Sequence, residues 1–118
     1  MTAHDIIKLA MSDQYEDIEN DTEAAQYSLD ILNILLMECF GAEQNSREMN
    51  GQELLTEVPQ VSEPTDEIPY NDILLRLALP YGIEWKFAEQ NLNQYQADQY
   101  HAMYMQAKQI AGGGVWQI

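Results

Sequence analysis

From Asp21 to Gly41 the chain carries an apolar helical pattern that most restricts how it can fold. Ala25, Leu29, Leu32, Leu36 and Cys39 or Phe40 recur at helical spacing, and Ile31, Ile34 and Leu35 widen the stripe until most of the circumference is apolar. A helix of this kind needs neighbours on two sides or a place at the centre of a bundle. Asp21 or Thr22 suits its N-cap, and Glu23 complements the positive end of its dipole. Gly41 offers an end, while Glu43 to Met49 has the helix formers to extend past it.

The other elements must supply that helix with partners. Ala3 to Met11 places Ile6, Ile7 and Ala10 on one helical face behind Thr2, a suitable cap. Ser12 to Asn20 is strongly acidic and reads as a loop or frayed turn. Asn50-Gly51 signals a turn. Between Leu54 and Ile68 the two prolines Pro59 and Pro64 exclude a regular helix, so an extended arm or short strand pieces are expected, anchored by Leu54, Leu55, Val58 and Val61 to the bundle or to a neighbouring subunit. Pro69 suits the first turn of a helix through Asp72, Ile73, Leu74, Leu77 and Ala78. Pro80 then forces a kink or restart and pushes Leu79 away from helical geometry. Ile83, Phe87 and Ala88 resume the stripe. A last helix, from about Gln94 to Ile110, carries Ala97, Tyr100, Tyr104, Ala107 and Ala111 as a seam, with small Ala allowing close approach and the phenol tips near water. Gly112, Gly113 and Gly114 form a hinge before Val115, Trp116, Gln117 and Ile118. Large apolar residues on such a tether read as a docking peptide; the alternative is a tail folded back on its own domain.

These elements predict one all-α domain, residues 1–111, a bundle of about three to five helices with an extended arm at 54–68 and a flexible tail at 112–118. The 118 residues suffice for a single core, and the 46% apolar content is that of a globular chain. No apolar run approaches the ~18 residues that span a bilayer. Met1 to Met11 lacks the basic start of a signal peptide, and the lone Cys39 permits no internal disulfide, so the cytoplasm is the natural compartment.

Twenty acids against five bases give a net charge of −15. Phosphate-gripping surfaces and anionic membranes both call for clustered Lys and Arg, so neither is expected as a partner. The surplus suits solubility, or a surface that faces DNA without holding it, as a channel lining or a mimic.

No catalytic, metal or cofactor site is expected. His4 and His101 are far apart in sequence. Cys39 lies on an apolar face without a basic neighbour. The acidic run Asp13 to Asp21 lacks the glycine and terminal glutamate of a calcium loop. The glycine triplet has neither the preceding strand nor the Lys-Ser of a phosphate loop. Asp66 and Glu67 read as solvated loop carboxylates. The Tyr and Met residues of the last helix suit bundle packing or a subunit interface.

Taken together, Thr65-Asp66-Glu67-Ile68-Pro69, the Leu79-Pro80-Tyr81-Gly82 step, the Tyr100, Tyr104 and Ala107 spacing and the Leu29 to Leu36 run resemble the small head-tail connector (adaptor) proteins of tailed bacteriophages, over roughly Asp21 to Ala111. The resemblance implies a structural virion protein of the neck, made in the host cytoplasm. It would form a ring of identical subunits on the portal, extend the channel through which DNA passes without specific binding, and receive the next neck or tail protein. A head-to-tail ring needs two different patches per subunit. The candidates are the arm (Leu54, Leu55, Val58, Val61, Ile68) and the last helix (Tyr100, Tyr104). Gly112 to Ile118 is the candidate portal contact. The competing readings are a small acidic regulatory protein that mimics DNA to inhibit a nucleic-acid-binding partner, and a helical interaction protein outside virions.

Overall fold

The computed structural model describes residues 1–12 and 20–113, and these build an all-α fold. Helix α1 spans Ala3–Ala10, α2 Thr22–Met49, α3 Leu79–Gln90 and α4 Gln94–Ala111, with a π-helical turn at Leu74–Ala78 running directly into α3. The expected acidic loop after Ser12 and the residues from Gly114 onward lie outside the described residues.

The helix starts follow the sequence signals. Thr2 Oγ1 accepts from Asp5 N at 3.1 Å while Thr2 N donates to Asp5 Oδ2 at 3.0 Å, a reciprocal capping box on α1. Asp21 Oδ1 caps α2 through Glu23 N and Ala24 N. Asn93 Oδ1 caps α4 through Gln96 N.

Helix α2 runs through Gly41 to Met49. A mid-helix glycine costs about 1 kcal/mol relative to alanine. The turns beyond it offset that cost with tertiary bonds made by Glu43, Gln44 and Arg47. The end itself is sharp. Gly51 adopts φ +68°, Gln52 N donates to Arg47 O at 2.8 Å and Gly51 N to Glu48 O at 3.3 Å, the paired bonds of a Schellman motif.

Two expectations about the next helical segment are corrected. Pro69 lies outside it: Asn71 is the cap, its Oδ1 accepting from Ile73 N at 3.0 Å and Leu74 N at 3.2 Å. Leu79 is helical, with φ −64° and ψ −45°. Its N–H donates to Leu74 O, five residues back, so the backbone widens into a π turn just where Pro80 can neither donate nor tolerate a tight preceding carbonyl. The widened turn stands where a kink or restart was expected.

The buried residues form one cluster, centred on Leu32, Leu35, Leu36, Leu74, Leu79, Ile83 and Tyr104. Gly82 sits where α3 crosses α2 and α4: a Cβ there would lie 2.8 Å from the Leu35 methyls and 3.1 Å from the Tyr104 ring. The glycine of the Leu-Pro-Tyr-Gly step is thus a close-approach residue.

From Gln52 to Tyr70 the chain is an arm without helix. Val61, Ile68 and Tyr70 press into the core. The far end of the arm meets α1 through an isolated bridge between Thr2 and Glu67. Ala3 N donates to Asp66 O at 2.9 Å and His4 N to Pro64 O at 2.8 Å, so arm carbonyls satisfy first-turn donors of α1.

Candidate functional site

The arm is held to α2 by side-chain amides acting as backbone partners. Asn33 Nδ2 donates to Val61 O at 2.9 Å, and Asn33 Oδ1 accepts from Val61 N at 2.8 Å. Gln44 repeats the arrangement with Leu55, at 2.8 and 2.9 Å. Asn33 and Gln44 stand about three helical turns apart on one face of α2, a rise of about 16 Å. The six residue steps from Leu55 to Val61 reach at most about 20–22 Å. The arm is therefore nearly extended, and it runs opposite to α2.

A buried carboxylate fixes the ends of the arm. Glu43 is 1% exposed. Its Oε1 accepts from Asn71 N at 2.6 Å and Asn71 Nδ2 at 3.0 Å, and its Oε2 from Arg47 Nε at 2.7 Å. Arg47 also donates to Glu53 O at 2.8 Å and Pro69 O at 2.7 Å. One guanidinium thereby ties the start of the arm to its finish.

The candidate interface residues divide between surface and core. Leu54 is exposed, and Leu55 and Val58 are half-buried. Val61 and Ile68 lie in the chain's own core, as does Tyr104, which is 0% exposed. Side chains without free surface cannot meet a neighbouring copy, so the available patch shrinks to Leu54 with half-buried Leu55, Val58 and Tyr100. The Tyr104 tip, expected near water, donates to Glu38 Oε1 at 2.7 Å and lies 3.6 Å from Cys39 Sγ. Trp85 stacks on the Tyr104 ring at 5.5 Å. Burial pushes the Tyr104 phenol well above its ordinary range and the Cys39 thiol up to about 11, which leaves both protonated at neutral pH.

The remaining polar candidates have structural roles. Asp66 Oδ2 accepts from Ser62 N at 2.8 Å and Glu63 N at 3.0 Å, bonds that hold its carboxyl below the usual range. Glu67 pairs with the Met1 amino group at 3.3 Å. His101 stacks on Trp85 at 4.3 Å. Among the described residues, no three His, Cys, Asp or Glu side chains gather as a metal site would need, and no helix is long and apolar enough to cross a membrane.

Three surface features are left. A stripe on α2 carries exposed Ile34 and Met37 in line with Gly41, beside which a Cβ would meet open space. An open groove of about 670 Å³ runs between α2 and α4, lined by Glu38, Ala42, Asn45, Met105, Lys108 and Gly112. The chain leaves the described region there, Gly112 against Ala42 and Gly113 (φ +93°) against Met49. Of the expected tail contact, Gly112 and Gly113 are thus placed; Gly114, Val115, Trp116, Gln117 and Ile118 lie outside the described residues. The third feature is a smaller pocket of about 280 Å³ between α1, α3 and α4, with Glu84 and Tyr100 in its wall.

The sequence reading did not find Asn33, Gln44 or the Glu43–Arg47–Asn71 network. The one available signal was the placement of Asn33 and Gln44 on one face of an otherwise apolar helix. No protein-family model, curated protein or solved structure matches this chain.

Proposed function

We propose that the protein is a structural assembly subunit, a head-tail connector that rings the portal of a tailed phage and continues its DNA channel toward the neck or tail. The observation that carries the reading is the joint between arm and helix. A non-helical arm is laid along a long central helix by two amide clamps, in an all-α subunit whose surface presents separate apolar patches. Leu54 and Val58 on the arm would serve one side of the ring. The exposed face of α4, with Tyr95 and Met103 beside Tyr100, would serve the other. Two unlike patches are what a closed head-to-tail ring requires.

The C-terminal residues extend the reading to the portal. They depart from the edge of the α2–α4 groove behind a glycine hinge, and Val115, Trp116 and Ile118 would enter an apolar crevice of the portal. The charge of −15 suits a channel wall along which DNA slides without adhering.

Electron microscopy of the chain mixed with the portal protein of its own genome tests this reading, with and without residues 112–118. The intact chain should cap the portal as a ring, and the truncated chain should not. A ring that survives truncation removes the tail from the contact. A chain that never associates with the portal overturns the connector reading.

A further inference from the structure

The pocket between α1, α3 and α4 is bounded by Ala10 and Met11 from α1 and its end, Glu84, Phe87 and Ala88 from α3, and Tyr100 from α4. Asn91, which follows α3, and Gln96, in the first turn of α4, add amides to the lining. At about 280 Å³ it is a site for one side chain, below the size of most small-molecule sites.

Among the described residues the pocket has one carboxylate, and it is unmatched. Glu84 is half-buried and makes no hydrogen bond or ion pair to any described residue. Burial alone holds its carboxyl above the usual range; no cation lies near enough to oppose that. Four of the chain's five Lys and Arg side chains have contacts away from Glu84, and the fifth, Lys8, is exposed on α1 and is not among the pocket's lining residues. Arg47 is committed to Glu43 and the arm. Lys86 lies over the Trp85 ring at 4.1 Å and Lys108 over the Tyr104 ring at 5.2 Å. Arg76 lies 3.9 Å from the exposed Asp72. A half-buried charge without a partner is costly, and the cost is recovered when an opposite charge arrives.

The walls select among cations. A guanidinium is flat, weakly hydrated and stacks on aromatic faces, while its fork of N–H groups suits a carboxylate. Phe87 and Tyr100 offer rings, Glu84 the carboxylate, and Asn91 and Gln96 amide oxygens for the remaining donors. The turn beside the pocket carries two further apolar groups in water. Leu92 is 92% exposed and holds φ +59°, a conformation where glycine is usual, and Tyr95 is 74% exposed. Both would contact the chain on either side of an inserted residue.

We propose that this pocket receives an arginine side chain of a protein partner, paired with Glu84 and flanked by apolar residues that cover Leu92 and Tyr95. The pocket needs no ring and no portal to be occupied, so its test is separate from that of the connector reading.

The probes are butylguanidinium, butylammonium and the neutral isostere butylurea, titrated into the full chain and followed by NMR. Butylguanidinium should shift Glu84, Phe87, Ala88 and Tyr100 saturably in the millimolar range. Butylammonium should bind more weakly and butylurea without saturation. In Glu84→Gln, whose fold is checked by circular dichroism, the guanidinium affinity should fall at least about tenfold, the equivalent of about 1.4 kcal/mol. Equal shifts from butylurea, unchanged affinity in Glu84→Gln, or shifts spread evenly over the surface carboxylates would overturn the proposal. So would nuclear Overhauser contacts in the free protein from residues 13–19 into the pocket, since the chain would then fill its own site. Loss of the guanidinium shifts on raising the protein concentration would identify the occupant as a second copy presenting Arg76, and would likewise overturn a separate partner.

Discussion

The arm and the α3–α4 hairpin pack against the same helix by opposite means. The hairpin meets α2 through apolar close contact: Gly82 lets Leu35 and the Tyr104 ring come within a methyl's reach, and Tyr104, Leu35 and Ile83 have no exposed surface. The arm meets α2 through polar bonds of defined direction, Asn33 to Val61, Gln44 to Leu55 and Glu43 to Asn71, with fewer large side chains buried. Apolar contact is strong and undirected; amide clamps are weaker and fix register. The hairpin should therefore carry most of the stability, while the arm can open without unfolding the rest of the domain.

The largest expected effect lies in the hairpin. Tyr104→Ala removes a fully buried ring and should cost about 3–5 kcal/mol, seen as a lower urea midpoint with cooperative loss of all helices. A smaller loss confined to α4 would mean that the hairpin is not the stable unit.

Glu43→Ala comes next, because it removes a buried carboxylate and leaves half-buried donors of Arg47 and Asn71 unmatched; we expect about 3 kcal/mol. Here the comparison can break. If the arm is the looser region, part of this loss should appear as fast amide exchange in the arm with α3 and α4 still protected. Equal loss in both regions would merge them into one cooperative unit.

Asn33→Ala and Gln44→Ala each remove one clamp and should cost about 1–2 kcal/mol. Exchange should quicken at Val61 in the first and at Leu55 in the second, the amides whose acceptors are lost. Unchanged exchange at both amides would show that apolar packing of Val61 suffices to hold the arm.

The smallest effect comes with acid. Asp5, bonded to Thr2, and Asp66, bonded to Ser62 and Glu63, both have carboxyls held below the usual range, and both lie where the arm meets α1. A lowered folded pKa gives stability that is present above the unfolded value of about 3.9 and is lost as pH falls through the folded one. Protection at Thr2, Ser62 and Glu63 should therefore fade below about pH 4. Asp66→Asn should abolish that dependence at Ser62 and Glu63 while leaving Thr2 unaffected.

Much of the helical framework was legible in the sequence. Thr2 and Asp21 act as the caps their positions suggest, and Ala97, Ala107 and Ala111 lie on a buried seam. What escaped the reading depends on bonds formed across the chain. Gly41 marks a weak point, yet the bonds of Glu43, Gln44 and Arg47 to residues beyond α2 carry the helix past it. Pro80 argues for a break, but one wider turn absorbs the missing donor. Tyr104 among alanines suggests a close helix seam with the phenol tip near water; the tip is instead buried and donates to Glu38, distant in sequence. The candidate interface was legible only in part, because alternating apolar residues in an arm do not reveal which of them turn inward.

Native-state hydrogen exchange of the isolated protein, read residue by residue, tests the two-region account most directly. The account predicts that the amides of Leu55 and Val61 open together at a lower free energy than those of Leu35, Ile83 and Tyr104, which should exchange only through global unfolding. A single opening free energy shared by all five amides would contradict it.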